Sequence, residues 1–417
     1  MAGEFALGGV TEGAKRLVQA TPVDAAGVFL SVERAQKLAR RLSHMRGAAM
    51  KLGQLLSLEG DDLLPPEFAE ALAVLRATAD AMPVSQVRRV MGHAYGKGWE
   101  ERFREFDFEP LAAASIGQVH GAVTADGREI ALKIQYPGVA RSIDSDVDNL
   151  ASLLRVTRIL PVEIDISAII DEAKSQLKQE ADYLREAEHL TRFRALVADE
   201  PGVWVPAVHE DLTTKRVLAM DRAFALPIEE LRSPDYPQSV RDQVGVRLQR
   251  LMFRELFEFR FVQTDPNFAN YLYAPETDEL VLLDFGSARD FSSELIDQYT
   301  RICRGMITED RDEIHRAAVE IGYLGGEETG SRLEAFLDLI LLAGEPLRHE
   351  GVYDFAESSL TGRAREKGFD LVFRQGFLRA PPPATIFLHR KLAGTFLLCA
   401  HIRSRVDTRA LALSMMG

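Results

Sequence analysis

Asp265 and Asn270 stand in the pattern D-x-x-x-x-N, and Asp284 heads the triplet Asp284-Phe285-Gly286. Two carboxylates and an amide oxygen are hard oxygen donors, the kind that hold Mg²⁺ where it bridges phosphates. Upstream, Ile130-Ala131-Leu132-Lys133 sets one ammonium group in an apolar strand-like run. A lysine so placed can hold the α- and β-phosphates of a nucleotide. Before it, Ala112-Ala113-Ala114-Ser115-Ile116-Gly117-Gln118-Val119 has the spacing of a phosphate loop, G-x-G-x-x-G-x-V, with alanine at the first two glycine positions. Glycine in such loops lets backbone N–H groups approach the phosphates. Alanine adds a Cβ in that space, so the loop is expected to be stiffer and to take a different phosphate position. The bland alternative, an alanine-rich turn, is outweighed by Lys133 following on the expected strand.

These residues need elements to carry them. Apolar residues recur at three and four from Val32 to Leu56, and proline opens a further helix at Leu64-Pro65-Pro66-Glu67, so residues 1–100 read as a helical extension. From Phe106 the pattern turns to alternation. Gln118–Val123 and Glu129–Gln135, joined through Ala125-Asp126-Gly127, read as a hairpin. Helical spacing predicts helices over Ile143–Val156, over Ile166–Leu196 as one piece, and over Asp242–Phe259. Val217–Met220 is a short apolar strand, with Met220 a nucleotide contact. Asn270–Tyr273 and Leu280–Leu283 form a second hairpin around the acidic residues, and Ser292 onward is mainly helix, interrupted by Pro381-Pro382-Pro383. The predicted domains are 1–100, 101–222 and 223–417, the last two being lobes.

The chain has 417 residues, 46% hydrophobic, and a net charge of -13, which argues against a broad nucleic-acid footprint. A local basic face does occur: Arg34, Lys37, Arg40, Arg41, Arg46 and Lys51 alternate with apolar residues. Such a helix either packs its apolar stripe on the core or lies on an anionic membrane surface. Only two cysteines occur, Cys303 and Cys399, so neither a disulfide framework nor a zinc site follows and a reducing compartment fits. No apolar run is long enough for a transmembrane helix: Ile386–Ala400 is broken by His389, Arg390 and Lys391.

The order of these elements is that of a protein kinase, with departures. Gln263-Thr264 replaces the usual His-Arg before the catalytic aspartate, and no A-P-E follows Asp284-Phe285-Gly286. The protein-substrate platform is therefore expected to be missing. The chain resembles the UbiB family of atypical kinase-like proteins, of the coenzyme Q biosynthesis type. The resemblance rests on Lys51-Leu52-Gly53-Gln54, the segment Arg76–Pro83, Ala112–His120, Lys133-Ile134-Gln135-Tyr136-Pro137-Gly138 and Glu180-Ala181-Asp182-Tyr183. Gln263–Asn267, Leu283–Gly286 and Leu388-His389-Arg390-Lys391 complete it. It implies an α+β, bilobal kinase-like fold with an N-terminal helical extension lying over the protein-substrate site and a helical C-terminal lobe. It also implies that Lys51 reaches Glu180, that Lys133 pairs with Glu186, and that the alanine loop (Ala112, Ala113, Ala114, Ser115, Gly117) favours ADP over ATP.

The function expected from residues and resemblance together is a Mg²⁺-dependent ATPase supporting ubiquinone biosynthesis. Asp265, Lys51, Glu180 and Asp182 form the catalytic set, Lys133, Glu186 and Met220 hold nucleotide, and Asn270 and Asp284 bind metal. Expected partners are the nucleotide, an anionic membrane surface, and quinone precursors or coenzyme Q biosynthetic enzymes. The expected place is the cytoplasm or the face of an inner membrane, on the matrix side in a eukaryote. Two rivals stand beside this reading: a lipid or small-molecule phosphotransferase, which Asp265 as base would permit, and a non-catalytic nucleotide-sensing scaffold.

Overall fold

The computed structural model describes residues 81–156, 167–374 and 381–416. Lys51, its neighbours Gly53 and Gln54, and the basic stretch 32–54 lie outside the described residues, as does most of the expected helical extension. The fold is α+β and kinase-like. Backbone proximity divides the chain into two compact units: one runs to Arg185 and takes in Val208–Arg222, the other comprises Glu186–Ala207 and Ala223 onward.

In the first unit, helix α1 (Val84–Tyr95) precedes three strands, β1 (Phe103–Ala113), β2 (Gly117–Thr124) and β3 (Glu129–Gln135). Helices α2 (Val139–Val156) and α3 (Ser167–Glu180) follow, and β5 (Val217–Asp221) completes an antiparallel sheet of order β1-β2-β3-β5; helix α4 (Tyr183–Leu196) belongs to the second unit from Glu186 onward. The short strand β4 (Val203–Trp204) falls in the second unit. The two-residue period of β3 decides what each side chain does. Ile130, Leu132 and Ile134 join Val87, Val90, Met91, Trp99 and Phe103 in one apolar cluster. Lys133 necessarily lies on the other face. Gly117 is fixed by sterics: a Cβ there would sit 2.2 Å from the Ile134 carbonyl oxygen of β3.

The expected single helix over 166–196 is corrected to two. Asp182 stands between them as the cap of α4, its Oδ1 accepting the Arg185 N–H at 3.2 Å. An aspartate side chain competes for backbone N–H groups and so favours a helix start over a helix interior. The register of the apolar periodicity continues through the break, which is why the sequence pattern alone does not show it. The first strand also begins earlier than expected, at Phe103.

In the second unit, β6 (Leu226–Pro227), β8 (Tyr271–Ala274) and β9 (Glu279–Leu282) join β4 in a sheet of order β4-β9-β8-β6, and β7 (Phe261–Gln263) pairs with β10 (Ala288–Asp290). Helix α5 (Gln238–Phe253) passes directly into a π-helical turn, Arg254–Phe259. The remainder is helical: α6 (Ser293–Thr308), α7 (Arg311–Ile321), α8 (Ser331–Ala343), the short α9 (Glu345–Arg348), α10 (Leu360–Phe369), α11 (Pro383–His401) and α12 (Thr408–Met416), with β11 (Tyr353–Asp354) and β12 (Arg405–Val406) paired between them. Helices α6, α7, α8 and α11 enclose the main core of this unit, with Ile302, Ile314, Leu337 and Leu388 among its buried residues. Among the described residues no helix is long and apolar enough to cross a membrane.

Candidate nucleotide site

The first unit brings the loop and the lysine into one register. Ala112 pairs with Val119, Val119 with Lys133, and Lys133 with Leu218, while Met220 lies opposite Ala131. Residues directly opposite share a face, so Ala112, Lys133 and Met220 all belong to the face turned away from the apolar cluster. Lys133 is buried, its Nζ 5.5 Å from the centre of the Tyr183 ring.

The alanine loop is a tight turn rather than an open cradle. Ala112 and Ala113 are still strand, and the Ala114 N–H donates to the Gly117 carbonyl at 2.9 Å. The Ser115 hydroxyl donates to Oε2 of Glu180, so the tip of the turn is tied to the last residue of α3. Lys51, the partner that the resemblance implies for Glu180, is not among the described residues. Glu180 is buried, whereas Asp182 is exposed and caps α4. Asp182 thus has a structural role that sequence reasoning did not assign.

Other residues of the resemblance act as struts. The Met82 N–H donates to Gln118 Oε1 at 2.8 Å, Gln118 Nε2 contacts His120 Nε2 at 2.7 Å, and His120 Nδ1 meets the Asp107 carbonyl at 2.8 Å. This buried chain ties the segment before α1 to the sheet. Burial lowers the His120 pKa.

In the second unit the acidic residues converge around Gln263. Its Nε2 donates to the Asp265 carbonyl at 2.7 Å and to the Asp284 carbonyl at 3.2 Å. One amide therefore fixes both loops, and Thr264 adds a bond from its hydroxyl to the Ser287 carbonyl at 2.7 Å. The Gln263-Thr264 pair that departs from the kinase pattern is the scaffold here. Asn270 and Asp284 sit at the same end of the β8–β9 hairpin, where the Leu283 N–H donates to the Asn270 carbonyl at 3.1 Å. Asn270 Nδ2 donates to the Asp265 carbonyl at 3.2 Å and reaches its Oδ2 at 3.4 Å. With the amide nitrogen so used, Asn270 Oδ1 is the atom that could serve a metal. Asp284 Oδ1 accepts the Gly286 N–H at 3.0 Å, which orients that carboxylate. Phe285 is fully buried against Phe193 of α4, ring centres 4.5 Å apart, and His189 contacts the Phe285 carbonyl at 3.1 Å. Glu186, at the start of the same helix, is fully buried.

The donor set suits Mg²⁺: one amide oxygen and one carboxylate, both hard. Among the described residues no three His, Cys, Asp or Glu side chains gather as a metal cage. A Mg²⁺ that draws most of its ligands from phosphates and water needs no such cage.

Helix α11 supplies what sequence reasoning missed. Arg390 contacts Asp265 Oδ1 at 3.3 Å, with both side chains largely buried. Four residues on, a Cβ at Gly394 would lie 2.1 Å from Pro266, so only glycine lets the helix approach the 265–266 loop. Two turns further along that helix, His401 packs on Phe268, ring centres 4.9 Å apart. Lys391 is buried with Glu255 at 2.6 Å, and Glu255 in turn accepts the Gln263 N–H at 2.8 Å. Burial pushes the Glu255 carboxyl upward. Burial also pulls the Lys391 ammonium down, but the Glu255 carboxylate outweighs it and keeps Lys391 above its ordinary range. The available signal was the charged triplet His389-Arg390-Lys391 inside an otherwise apolar helix. Glu255 carries no comparable signal.

His389 points into the core, where Tyr323 Oη lies 2.7 Å and Tyr299 Oη 3.1 Å from its Nε2. Burial pushes the imidazole down from 6.5 to about 4. The unfolded chain takes up this proton near pH 6.5 and the folded one only near 4. The stability due to a neutral His389 is therefore present above 6.5 and lost as pH falls toward 4. The expected loss is about 3 kcal/mol. Urea midpoints measured from pH 7 to 4 should fall more steeply for wild type than for His389→Asn; parallel curves would refute this.

Residues 74–318 match the model of the ABC1 atypical kinase-like domain, and the chain belongs to that family. It is 40% identical over 383 residues to "Atypical kinase COQ8B, mitochondrial" of Rattus norvegicus, covering 92% of this chain and 72% of that one. It is 40% identical to "Atypical kinase coq-8, mitochondrial" of Caenorhabditis elegans, covering 91% of this chain and 50% of that one. It is 38% identical to "Atypical kinase COQ8, mitochondrial" of Saccharomyces cerevisiae, covering 91% of this chain and 75% of that one. Among solved structures, Rv3197 of Mycobacterium tuberculosis in complex with erythromycin matches with a TM-score of 0.62 and 25% identity, over 94% of this chain and 98% of that one.

Proposed function

We propose that this protein is an atypical kinase-like ATPase that supports ubiquinone biosynthesis, binding ATP or ADP with Mg²⁺ and turning nucleotide over in connection with membrane lipid or quinone-precursor handling. The observation that carries the nucleotide reading is the Gln263-centred junction, which holds Asp265, Asn270 and Asp284 as oriented oxygen donors. The pathway reading is supported by relatives that are named as COQ8 atypical kinases. By the same likeness, a mitochondrial or inner-membrane-facing location is proposed.

Lys133 would neutralise the α- and β-phosphates, and Asn270 and Asp284 would hold Mg²⁺, which lowers the cost of charge developing on the transferred phosphoryl group. Asp265 is contacted by Arg390 at one oxygen and by Asn270 at the other. That anchoring favours orienting a water molecule over stripping a proton from a mobile hydroxyl substrate. The test is ATPase turnover with and without anionic liposomes and a quinone-head-group phenol, with the products analysed. Phosphate release that rises with liposomes or phenol supports the proposal. A phosphorylated lipid or phenol would instead establish a phosphotransferase, and nucleotide binding without turnover would establish a sensing scaffold.

The alanine turn gives a further expectation. Ala114→Gly should loosen the Ala114–Gly117 turn, since glycine adds backbone freedom of about 0.5–1 kcal/mol. The ratio of ATP to ADP affinity should then rise a few-fold, about the factor that energy allows. Titrating both nucleotides into wild type and variant checks it, and an unmoved ratio would leave the alanines with a hairpin role only.

A further inference from the structure

The first unit contains a cavity of about 360 Å³ at the C-terminal end of β3, lined by Arg89 and His93 of α1, Arg141 of α2 and Arg216 just before β5. Among the described residues no acidic side chain lines it. Other arginines of this unit show the contrast: Arg88 pairs with Glu100 at 2.8 Å, and Arg128 with Asp211 at 2.9 Å. Arg89, Arg141 and Arg216 have no carboxylate partner among the described residues, in a chain whose net charge is -13. Three arginines from three separate segments thus line one concavity while acidic side chains are plentiful elsewhere.

The backbone explains the convergence. Tyr136-Pro137-Gly138-Val139 is a tight turn closed by the Val139 N–H to the Tyr136 carbonyl at 3.2 Å, with Gly138 at φ +83°. Proline at the second position and a left-handed glycine at the third are what a type II turn requires. The turn starts α2 at once, the Gly138 carbonyl accepting the Arg141 N–H at 3.0 Å. The positive end of an 18-residue helix therefore opens on the same cavity. On the opposite wall, His93 Nδ1 donates to the Arg89 carbonyl at 2.6 Å, which leaves Nε2 as its second polar atom. Arg216 is held beside β3 by its carbonyl, which accepts the Gln135 N–H at 3.1 Å. The sequence Gln135-Tyr136-Pro137-Gly138, which the nucleotide chemistry leaves unexplained, acquires a purpose as the turn that shapes this wall.

We propose that this cavity is a second anion site, specific for a phosphate monoester or diphosphate group. Several guanidinium forks match the multiple oxygens and double charge of such a group better than a single carboxylate would. The group could come from a soluble phosphorylated molecule or from a lipid headgroup bearing a phosphate monoester. The proposal does not rest on the nucleotide reading.

The test titrates inorganic pyrophosphate into the full chain calorimetrically, without Mg²⁺, for wild type, the triple variant Arg89→Ala/Arg141→Ala/Arg216→Ala, and Lys133→Met. Wild type and Lys133→Met should share one arginine-dependent binding event of equal affinity, and the triple variant should weaken that event about tenfold or more. Absence of binding in wild type overturns the proposal. So does the reverse pattern, with binding lost in Lys133→Met and kept in the triple variant. Co-sedimentation with phosphatidylcholine vesicles doped with phosphatidate, against phosphatidylglycerol at equal charge, separates the sources. Phosphatidate binding that pyrophosphate displaces and the triple variant lacks identifies a lipid headgroup. Arginine-dependent pyrophosphate binding with unchanged vesicle binding identifies a soluble ligand. Thermal melting checks the fold of each variant. Should the triple variant not fold, the single reversals Arg89→Glu and Arg216→Glu, both at exposed positions, decide the same point.

Discussion

Asp284→Asn is expected to reduce Mg²⁺-dependent ATP hydrolysis by about 10²–10³-fold, the scale on which loss of one preorganised charge contact acts in phosphoryl and acyl transfer. The substitution keeps the shape of the side chain and an oxygen that can accept the Gly286 N–H, now 3.0 Å from Oδ1. It removes the negative charge, which a hard divalent cation does not forgo cheaply. The fold should survive, because Phe285 beside it is packed on Phe193 and needs no charge to stay there. Two readouts separate binding from turnover. The thermal shift produced by MgATP should collapse in the variant, whereas the melting temperature without nucleotide should stay near wild type. A full MgATP shift in Asp284→Asn would show that this carboxylate is not a metal ligand.

Lys391→Met should be the most destabilising single change in the second unit. Lys391 and Glu255 are buried and 2.6 Å apart. Removing one member of such a pair leaves an uncompensated buried charge, a cost of about 3–5 kcal/mol. The melting temperature should fall by on the order of 10 °C. Glu255 also holds the Gln263 N–H at 2.8 Å, and Gln263 holds Asp265 and Asp284, so ATPase activity should fall with stability. Adding Glu255→Gln to Lys391→Met should recover much of the loss, because glutamine still accepts the Gln263 N–H and carries no charge. Unchanged melting of Lys391→Met would mean that Glu255 is held in its neutral form, in keeping with the upward push that burial gives it.

Much of the candidate site was legible in the sequence because it is local. The alternation of Ile130, Leu132 and Ile134 around Lys133 requires a strand with the ammonium on one face and the core on the other, whatever packs above it. D-x-x-x-x-N and Asp284-Phe285-Gly286 bracket a hairpin whose two strands fix their own register, and the family resemblance follows from the same short segments. The break at Ala181-Asp182 was less legible: apolar spacing runs through it, and only the backbone bond from Arg185 to the Asp182 carboxylate marks a new helix.

What the sequence could not decide was which charged residues meet across long separations. Arg390 is 125 residues from Asp265, and Lys391 is 136 residues from Glu255. Composition marks His389-Arg390-Lys391 as out of place in an apolar helix, and no local rule names their partners. The closeness of α11 to the 265–266 loop depends on Gly394 having no Cβ, a contact defined only once both segments are placed. The same holds for Arg89, Arg141 and Arg216, three ordinary surface arginines in the sequence that the turn at Pro137-Gly138 gathers around one cavity. Hydrophobic period and turn chemistry act over a few residues and set the elements; pairing of buried charges and close backbone approach act through space and exist only in the folded chain.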